Sequence, residues 1–98
     1  MPCSEKKAAA MDKDRLEDLL QRMSRIEGQA RGVRRMLEEG ADCQDTLIQI
    51  GAMRAALNRV ALAMLGCHLA QELCRELSGG GDGRKAIDRA LEVLARLA

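Results

Sequence analysis

Three side chains in this 98-residue chain have the types and spacing for ligand or effector chemistry: Cys43, His68 and Glu72. Thiolate, imidazole and carboxylate are the groups that proteins use to hold transition metals. His68 is the single histidine, and Glu72 follows it at i+4, so the two share one face of any helix that carries them. Cys43 lies far upstream, about seven turns before His68 if the chain between them is helical. A lone histidine on a helix seam also serves as an ordinary core residue, and a cysteine near a helix start as a small hydrophobe. One histidine and one nearby carboxylate, with no phosphate loop and no nucleophile triad, are too little equipment for an enzyme.

The elements that position these groups read as helices throughout, and no segment reads as a strand. Asp12 is the expected N-cap of a first helix running to about Glu39. Leu16, Leu19, Leu20, Met23, Ile26, Ala30, Val33 and Leu37 form its apolar stripe at three- and four-residue steps. Gly28 and Gly32 interrupt that stripe and predict close approach of another backbone. Gly40 ends the helix and Asp42 caps the next. The second helix reads as unbroken from Cys43 or Gln44 to about Leu77, with Leu47, Ile50, Leu57, Ala61, Met64, Leu65, His68, Glu72 and Leu73 as its buried seam. At ~1.5 Å per residue it is about 50 Å long, too long for a compact monomer of this size.

That length constrains the site. Along one continuous helix Cys43 and His68 stand about 37 Å apart, so they cannot meet within one chain. Two antiparallel copies crossing near Leu57 would bring Cys43 of each opposite His68 and Glu72 of the other, giving two equivalent sites by two-fold symmetry. Gly79 to Gly83 reads as a flexible hinge, followed by a short third helix with Ile87, Leu91, Leu94 and Leu97 as its apolar face. Cys67 and Cys74, about 10 Å apart along the second helix, are too far apart for a disulfide and read as packing thiols. The fold class is all-α, a three-helix protomer forming an antiparallel helical dimer. Residues 1–11 are a flexible polar tail and residues 12–98 the helical domain.

Composition narrows the function further. The chain is 47% hydrophobic and 32% charged, as globular domains are, but has no Phe, Trp or Tyr. That excludes base-stacking platforms and aromatic cages. The longest apolar run, Val60 to Cys67, contains Gly66 and is too short to span a bilayer, so no membrane partner is expected. Four cysteines without a recognisable secretory signal point to a reducing cytoplasm. Net charge is +1, yet Arg22, Arg25, Arg31, Arg34 and Arg35 face a single acid, Glu27, in the stretch from Arg22 to Arg35. Glu38, Glu39, Asp42 and Asp45 follow without a base. This segregation makes a basic face able to meet phosphate.

The run Arg25-Ile26-Glu27-Gly28-Gln29-Ala30-Arg31-Gly32-Val33, then Met36-Leu37-Glu38-Glu39 and Cys43, resembles the CsoR/RcnR family of bacterial repressors. Gln49-Ile50, Arg54-Ala55-Ala56-Leu57, Val60 and His68-Leu69 extend the resemblance across residues 12–98. It implies homodimers assembling into flat tetramers that bind operator DNA without a helix-turn-helix. It also implies an effector (Cu(I), Ni or Co, formaldehyde or sulfane sulfur) that weakens DNA binding. Arg22, Arg25 and Arg54 match basic positions linked to operator binding, with Arg15, Arg34 and Arg35 in support. Cys43 and His68 match ligand positions shared by the copper and nickel/cobalt sensors, where a second Cys or a second His respectively follows at i+4 from the histidine.

This chain has Glu72 at that last position. Cys–His–carboxylate is a borderline set that suits Zn, Co or Ni better than soft Cu(I). Glu72 and the Met-Pro start also resemble the formaldehyde-responsive branch, in which the Pro2 amine and the Cys43 thiol would be bridged by the aldehyde. The tail here is longer, which loosens the Pro2 match. Cys3 and Cys74 are further candidate effector residues. The expectation carried forward is a repressor released from DNA by a transition metal (Cu, Zn, Ni or Co) at an intersubunit Cys43–His68–Glu72 site. The alternatives are formaldehyde sensing through Pro2 and Cys43, or a metal carrier without a DNA role.

Overall fold

The computed structural model describes residues 12–97, which form three α-helices and no strand among the described residues. α1 spans Lys13–Glu39, α2 spans Cys43–Ser78 and α3 spans Arg84–Leu97. The expectations for Pro2 and Cys3 lie outside the described residues. Each helix begins at a capping aspartate. Asp12 accepts from the Arg15 amide at 2.8 Å, Asp42 from the Gln44 and Asp45 amides at 3.1 and 3.3 Å, and Asp82 from the Arg84 amide at 3.1 Å. α1 stops at Gly40, whose φ of 69° lets the Ala41 amide reach back to the Met36 carbonyl at 2.9 Å.

Glu17–Val60 form one compact unit, a hairpin of α1 and the first half of α2 joined by residues 40–42. Its core is a narrow seam: Leu19, Ile26 and Val33, seven apart on α1, are buried, as are Thr46 and Val60 on α2. Seven-residue spacing is the period of two helices packed along a coiled-coil-like seam. The broad stripe expected on α1 is therefore corrected: Leu16, Leu20, Ala30 and Leu37 are exposed. On α2 the single chain covers only part of the expected seam, with Ala61, Leu65, Glu72 and Leu73 half-buried. Thr46, Met53 and Val60 are turned toward the core, whereas Leu47, Ile50, Leu57, Met64 and His68 are exposed. α2 carries apolar residues around much of its circumference, so periodicity alone could not choose the face its own chain covers. No atom outside the local backbone lies within 4 Å of a side chain built at Gly28 or Gly32, so the expected close backbone approach is absent among the described residues.

Residues from Ala61 onward, with the first turn of α1 as far as Leu16, form the other unit. The Gly79–Gly83 link is not a loose hinge. The Gly81 amide donates to the Glu76 carbonyl at 2.8 Å, closing α2, and the Asp82 cap opens α3 directly after it. Gly83 is buried with φ of 83°, and a Cβ placed there would stand 2.7 Å from Leu73 Cδ2. Ala86, one turn further on, is only 2% exposed. Two small residues thus seat the start of α3 directly on α2. Of the expected apolar face of α3, Leu97 is half-buried and Ile87, Leu91 and Leu94 are exposed in the single chain, while Ala86 and Ala90 turn inward.

α2 also qualifies, by length and composition alone, as a helix apolar enough to cross a membrane. An 18-residue window reaches a mean hydropathy of 1.2 and is 6% buried. The run Val60 to Cys67 understates this, because the window tolerates the few charges that interrupt it.

Gly83→Ala should lower stability in chemical denaturation by about 1–2 kcal/mol, the cost of a left-handed backbone for a residue with a Cβ. The loss should come with a smaller helical signal if α3 lifts off Leu73.

Candidate functional site

Cys43 is the first residue of α2, with an exposed, free thiol. His68 is exposed and has no hydrogen-bond or ion-pair partner among the described residues. α2 runs unbroken from one to the other, Cys43 lying in the Glu17–Val60 unit and His68 in the other. No three His, Cys, Asp or Glu side chains converge into a metal-binding group among the described residues of the chain. The single chain therefore brings His68 and Glu72 onto neighbouring turns and leaves Cys43 remote. At 100° per residue, Cys43, Ile50, Leu57, Met64 and His68 fall within about 60° of one another around α2. All five are exposed. Within the Glu17–Val60 unit Cys43 shares an exposed face with Ile50 and Leu57, and within the other unit His68 is exposed beside Met64.

Glu72 is placed differently. Its side chain is 17% exposed, and its two oxygens have separate partners: Arg75 Nη1 lies 3.5 Å from Oε1, and Arg89 Nη1 lies 3.4 Å from Oε2. Sequence spacing anticipates the Arg75 contact, at i+3, but not the one from α3.

The other described cysteines are engaged rather than idle. Arg15 Nη1 donates to the half-buried Cys67 Sγ at 2.9 Å. This contact, with Asp12 nearby, holds the Arg15 guanidinium pKa above its ordinary value. Cys74 is half-buried and already has a partner, so it is neither a free thiol nor a plain packing residue.

The basic face has a definite shape within the Glu17–Val60 unit. Arg22, Arg25, Ile26 and Gln29 of α1, with Ala56 and Arg59 of α2, line a depression of about 250 Å³. A reading of α1 alone misses Arg59. The hairpin register finds it: Ile26, counted back from Gly40, and Ala56, counted forward from Asp42, stand equally far from the turn. Arg54, expected beside Arg22 and Arg25, does not line the depression. Arg22 is paired with Asp18 and Arg34 with Glu38, each at 2.9 Å. Arg25, Arg35, Arg54 and Arg59 have no ion-pair partner among the described residues. Gln29 Oε1 is buried in the same region without a hydrogen-bond partner. Three guanidinium groups around one hollow fit a phosphate oxygen better than any neutral ligand.

Known proteins share this chain's sequence and fold. Residues 15–96 match the family described as metal-sensitive transcriptional repressor. The chain is 39% identical over 80 residues to the copper-sensing transcriptional repressor CsoR of Bacillus subtilis (strain 168), covering 82% of this chain and 78% of that protein. Its fold is similar to the copper-sensing repressor CsoR with Cu(I) from Geobacillus thermodenitrificans NG80-2. There the TM-score is 0.74 and the identity 32%, over 89% of this chain and 90% of that one. It is likewise similar to the nickel-responsive transcriptional regulator InrS, with a TM-score of 0.70 and 37% identity over 85% and 92% of the two chains.

Arg59→Ala should weaken binding to duplex DNA roughly 10- to 100-fold at moderate salt, about the loss of one charge-assisted contact. The slope of log affinity against log salt should become shallower by about 0.9 for each copy touching DNA. Arg54→Ala should do less on both counts. Fluorescence anisotropy titrations at several salt concentrations measure all of these.

Proposed function

The chain belongs to the metal-sensitive transcriptional repressors, and from that premise we propose a particular arrangement of its sensor and its DNA face. It is a metal-sensing repressor and not an enzyme. In the proposed arrangement, Arg22, Arg25 and Arg59 hold operator phosphates. Cys43 of one protomer, with His68 and Glu72 of its partner, takes up a divalent transition metal and weakens that hold. The observation that carries this reading is the unbroken α2, with a free thiol at its start, an unpartnered imidazole about seven turns on, and an exposed apolar face between. Two antiparallel copies of α2 cover that face and bring the separated ligands together twice. The exposed Ile87, Leu91 and Leu94 of α3 offer a further apolar surface on which dimers pair into a tetramer. A repressor of this kind works where the operator is, in the cytoplasm.

The donor set chooses among metals. One thiolate, one imidazole and one carboxylate match the borderline character of Ni(II), Co(II) or Zn(II), whereas Cu(I) is better served by additional sulfur. The relatives named above are copper-sensing in two cases and nickel-responsive in one, so the family leaves both open. Cys43 contributes charge and polarisability, His68 a neutral nitrogen, and Glu72 a second negative charge that favours a divalent ion. Metal bound there ties the two protomers to each other and shifts how each presents its arginines. Coupling of about 1–3 kcal/mol lowers operator affinity roughly 5- to 150-fold without unfolding the protein.

Mixing two inactive variants tests the intersubunit site. Cys43→Ala and His68→Ala homodimers should each lose Co(II) binding, read from the thiolate-to-metal absorption band. Refolded together, the mixed dimers contain one damaged site and one intact site, so binding should return at one ion per mixed dimer. No recovery on mixing would overturn the arrangement.

Metal choice is tested by operator release. Ni(II) or Co(II) at concentrations that saturate the site should release DNA, and Cys43→Ala should abolish that response while leaving metal-free operator affinity within about twofold. Release by Cu(I) alone would reject the divalent assignment.

A further inference from the structure

We propose that Arg89 is a positioning residue of the sensor: it holds the Glu72 carboxylate on α3 when no effector is bound and must let go for Glu72 to act as a ligand. This inference rests on the reading that Glu72 belongs to the effector site, and it adds the group that competes for it. Among the described residues, Arg89–Glu72 is the one hydrogen bond or ion pair that joins the α2 and α3 helices. Close packing at Gly83 against Leu73, with Ala86 buried one turn on, adds steric and apolar contact at the start of α3. Because Ile87, Leu91 and Leu94 point away, α3 rests on α2 through little apolar surface of its own. A single polar contact therefore weighs heavily in how α3 is held.

The geometry suits exchange rather than a permanent lock. Contacts of 3.4 and 3.5 Å are longer than the roughly 2.7–2.9 Å of a strong charge-assisted hydrogen bond. The arginines are 64% and 67% exposed, so water replaces the carboxylate for them easily. The carboxylate, at 17% exposure, is the poorly hydrated member and needs a cation at all times. Two arginines satisfy it without effector, and a metal ion satisfies it with effector. Arg75, on the same helix, can swing aside without moving any backbone. Arg89 can leave only by breaking the polar tie between helices. By linkage, whatever α3 docking gains from this contact is subtracted from effector affinity, and effector binding loosens α3 by the same factor.

The test uses the full-length protein and Co(II) as the probe, followed by absorption at fixed ionic strength. Arg89→Gln should bind Co(II) roughly two- to fivefold more tightly than the unmodified chain, in line with a partly exposed ion pair. Arg89→Lys, which keeps the cation, should return affinity to near its original value. In a Glu72→Gln background the gain from Arg89→Gln should vanish, which a merely structural role for Arg89 would not produce. Amide hydrogen exchange should show residues 84–97 opening faster when Co(II) is bound to the unmodified protein. Equal or weaker Co(II) binding by Arg89→Gln, or a gain that persists with Glu72→Gln, overturns the proposal. If Cys43→Ala still abolishes Co(II) binding in that event, the sensor reading stands and only the role of Arg89 fails. If Cys43→Ala and His68→Ala leave Co(II) binding unchanged, the sensor reading itself fails, and this inference with it.

Discussion

The fixed rise of an α-helix governs this protein more than any other single constraint. α2 runs 36 residues without a break, about 54 Å. A helix of that length cannot fold its own two ends together, so groups placed at Cys43 and His68 serve different ends of the protomer. Each end gets its own local partner helix. α1 packs on the first half of α2, and α3 turns back on the second half across the Gly79–Gly83 link. Neither partner covers the face that carries Ile50, Leu57 and Met64. Length thus separates Cys43 from His68 and leaves apolar surface exposed.

The helices are legible in the sequence because their signals are local. Asp12, Asp42 and Asp82 lie at helix starts and Gly40 at a helix end, and capping chemistry needs only a few neighbouring residues. Which face of each helix is buried is much less legible. α2 has apolar residues on several faces, and a hydrophobic pattern does not distinguish burial within a chain from burial between chains. Leu57 and Ile87 read as parts of apolar faces and are exposed in the single chain, while Thr46 and Ala86, unremarkable in a pattern search, are buried. The small residues matter because they let backbones approach, a requirement that shows only once the partner's position is known. The Gly79–Gly83 link misleads for the opposite reason. Glycine-rich sequence reads as freedom, yet here Gly83 supplies a left-handed turn held against Leu73.

The candidate site divides along the same line. Cys43 and His68 follow from residue type and spacing, and their separation along a continuous helix is fixed by the count of residues between them. Arg59 and Arg89 do not follow, because each acts across a turn, opposite a helix that sequence periodicity treats in isolation. Arg59 joins Arg22 and Arg25 only through the hairpin register, and Arg89 reaches Glu72 from a different helix. The contact between Arg15 and Cys67, from opposite ends of the sequence, is of the same kind. Contacts of this sort depend on how helices are laid side by side, information that lives in packing rather than in pattern.

A molecule that reports an effector through a change in DNA affinity works with a small free-energy difference, and its polar contacts match that scale. The pairs of Arg22 with Asp18 and Arg34 with Glu38 are exposed helical neighbours of a kind contributing about 0.3–0.5 kcal/mol. They keep the guanidinium groups ordered without making them costly to hand over to phosphate. A deeply buried, tightly bonded arginine would hold its partner too firmly to exchange, since breaking such a pair leaves an uncompensated charge. Arg25 and Arg59, without an ion-pair partner among the described residues, have no such pair to break. The same scale holds at Glu72, where two loosely held arginines neutralise a poorly hydrated carboxylate.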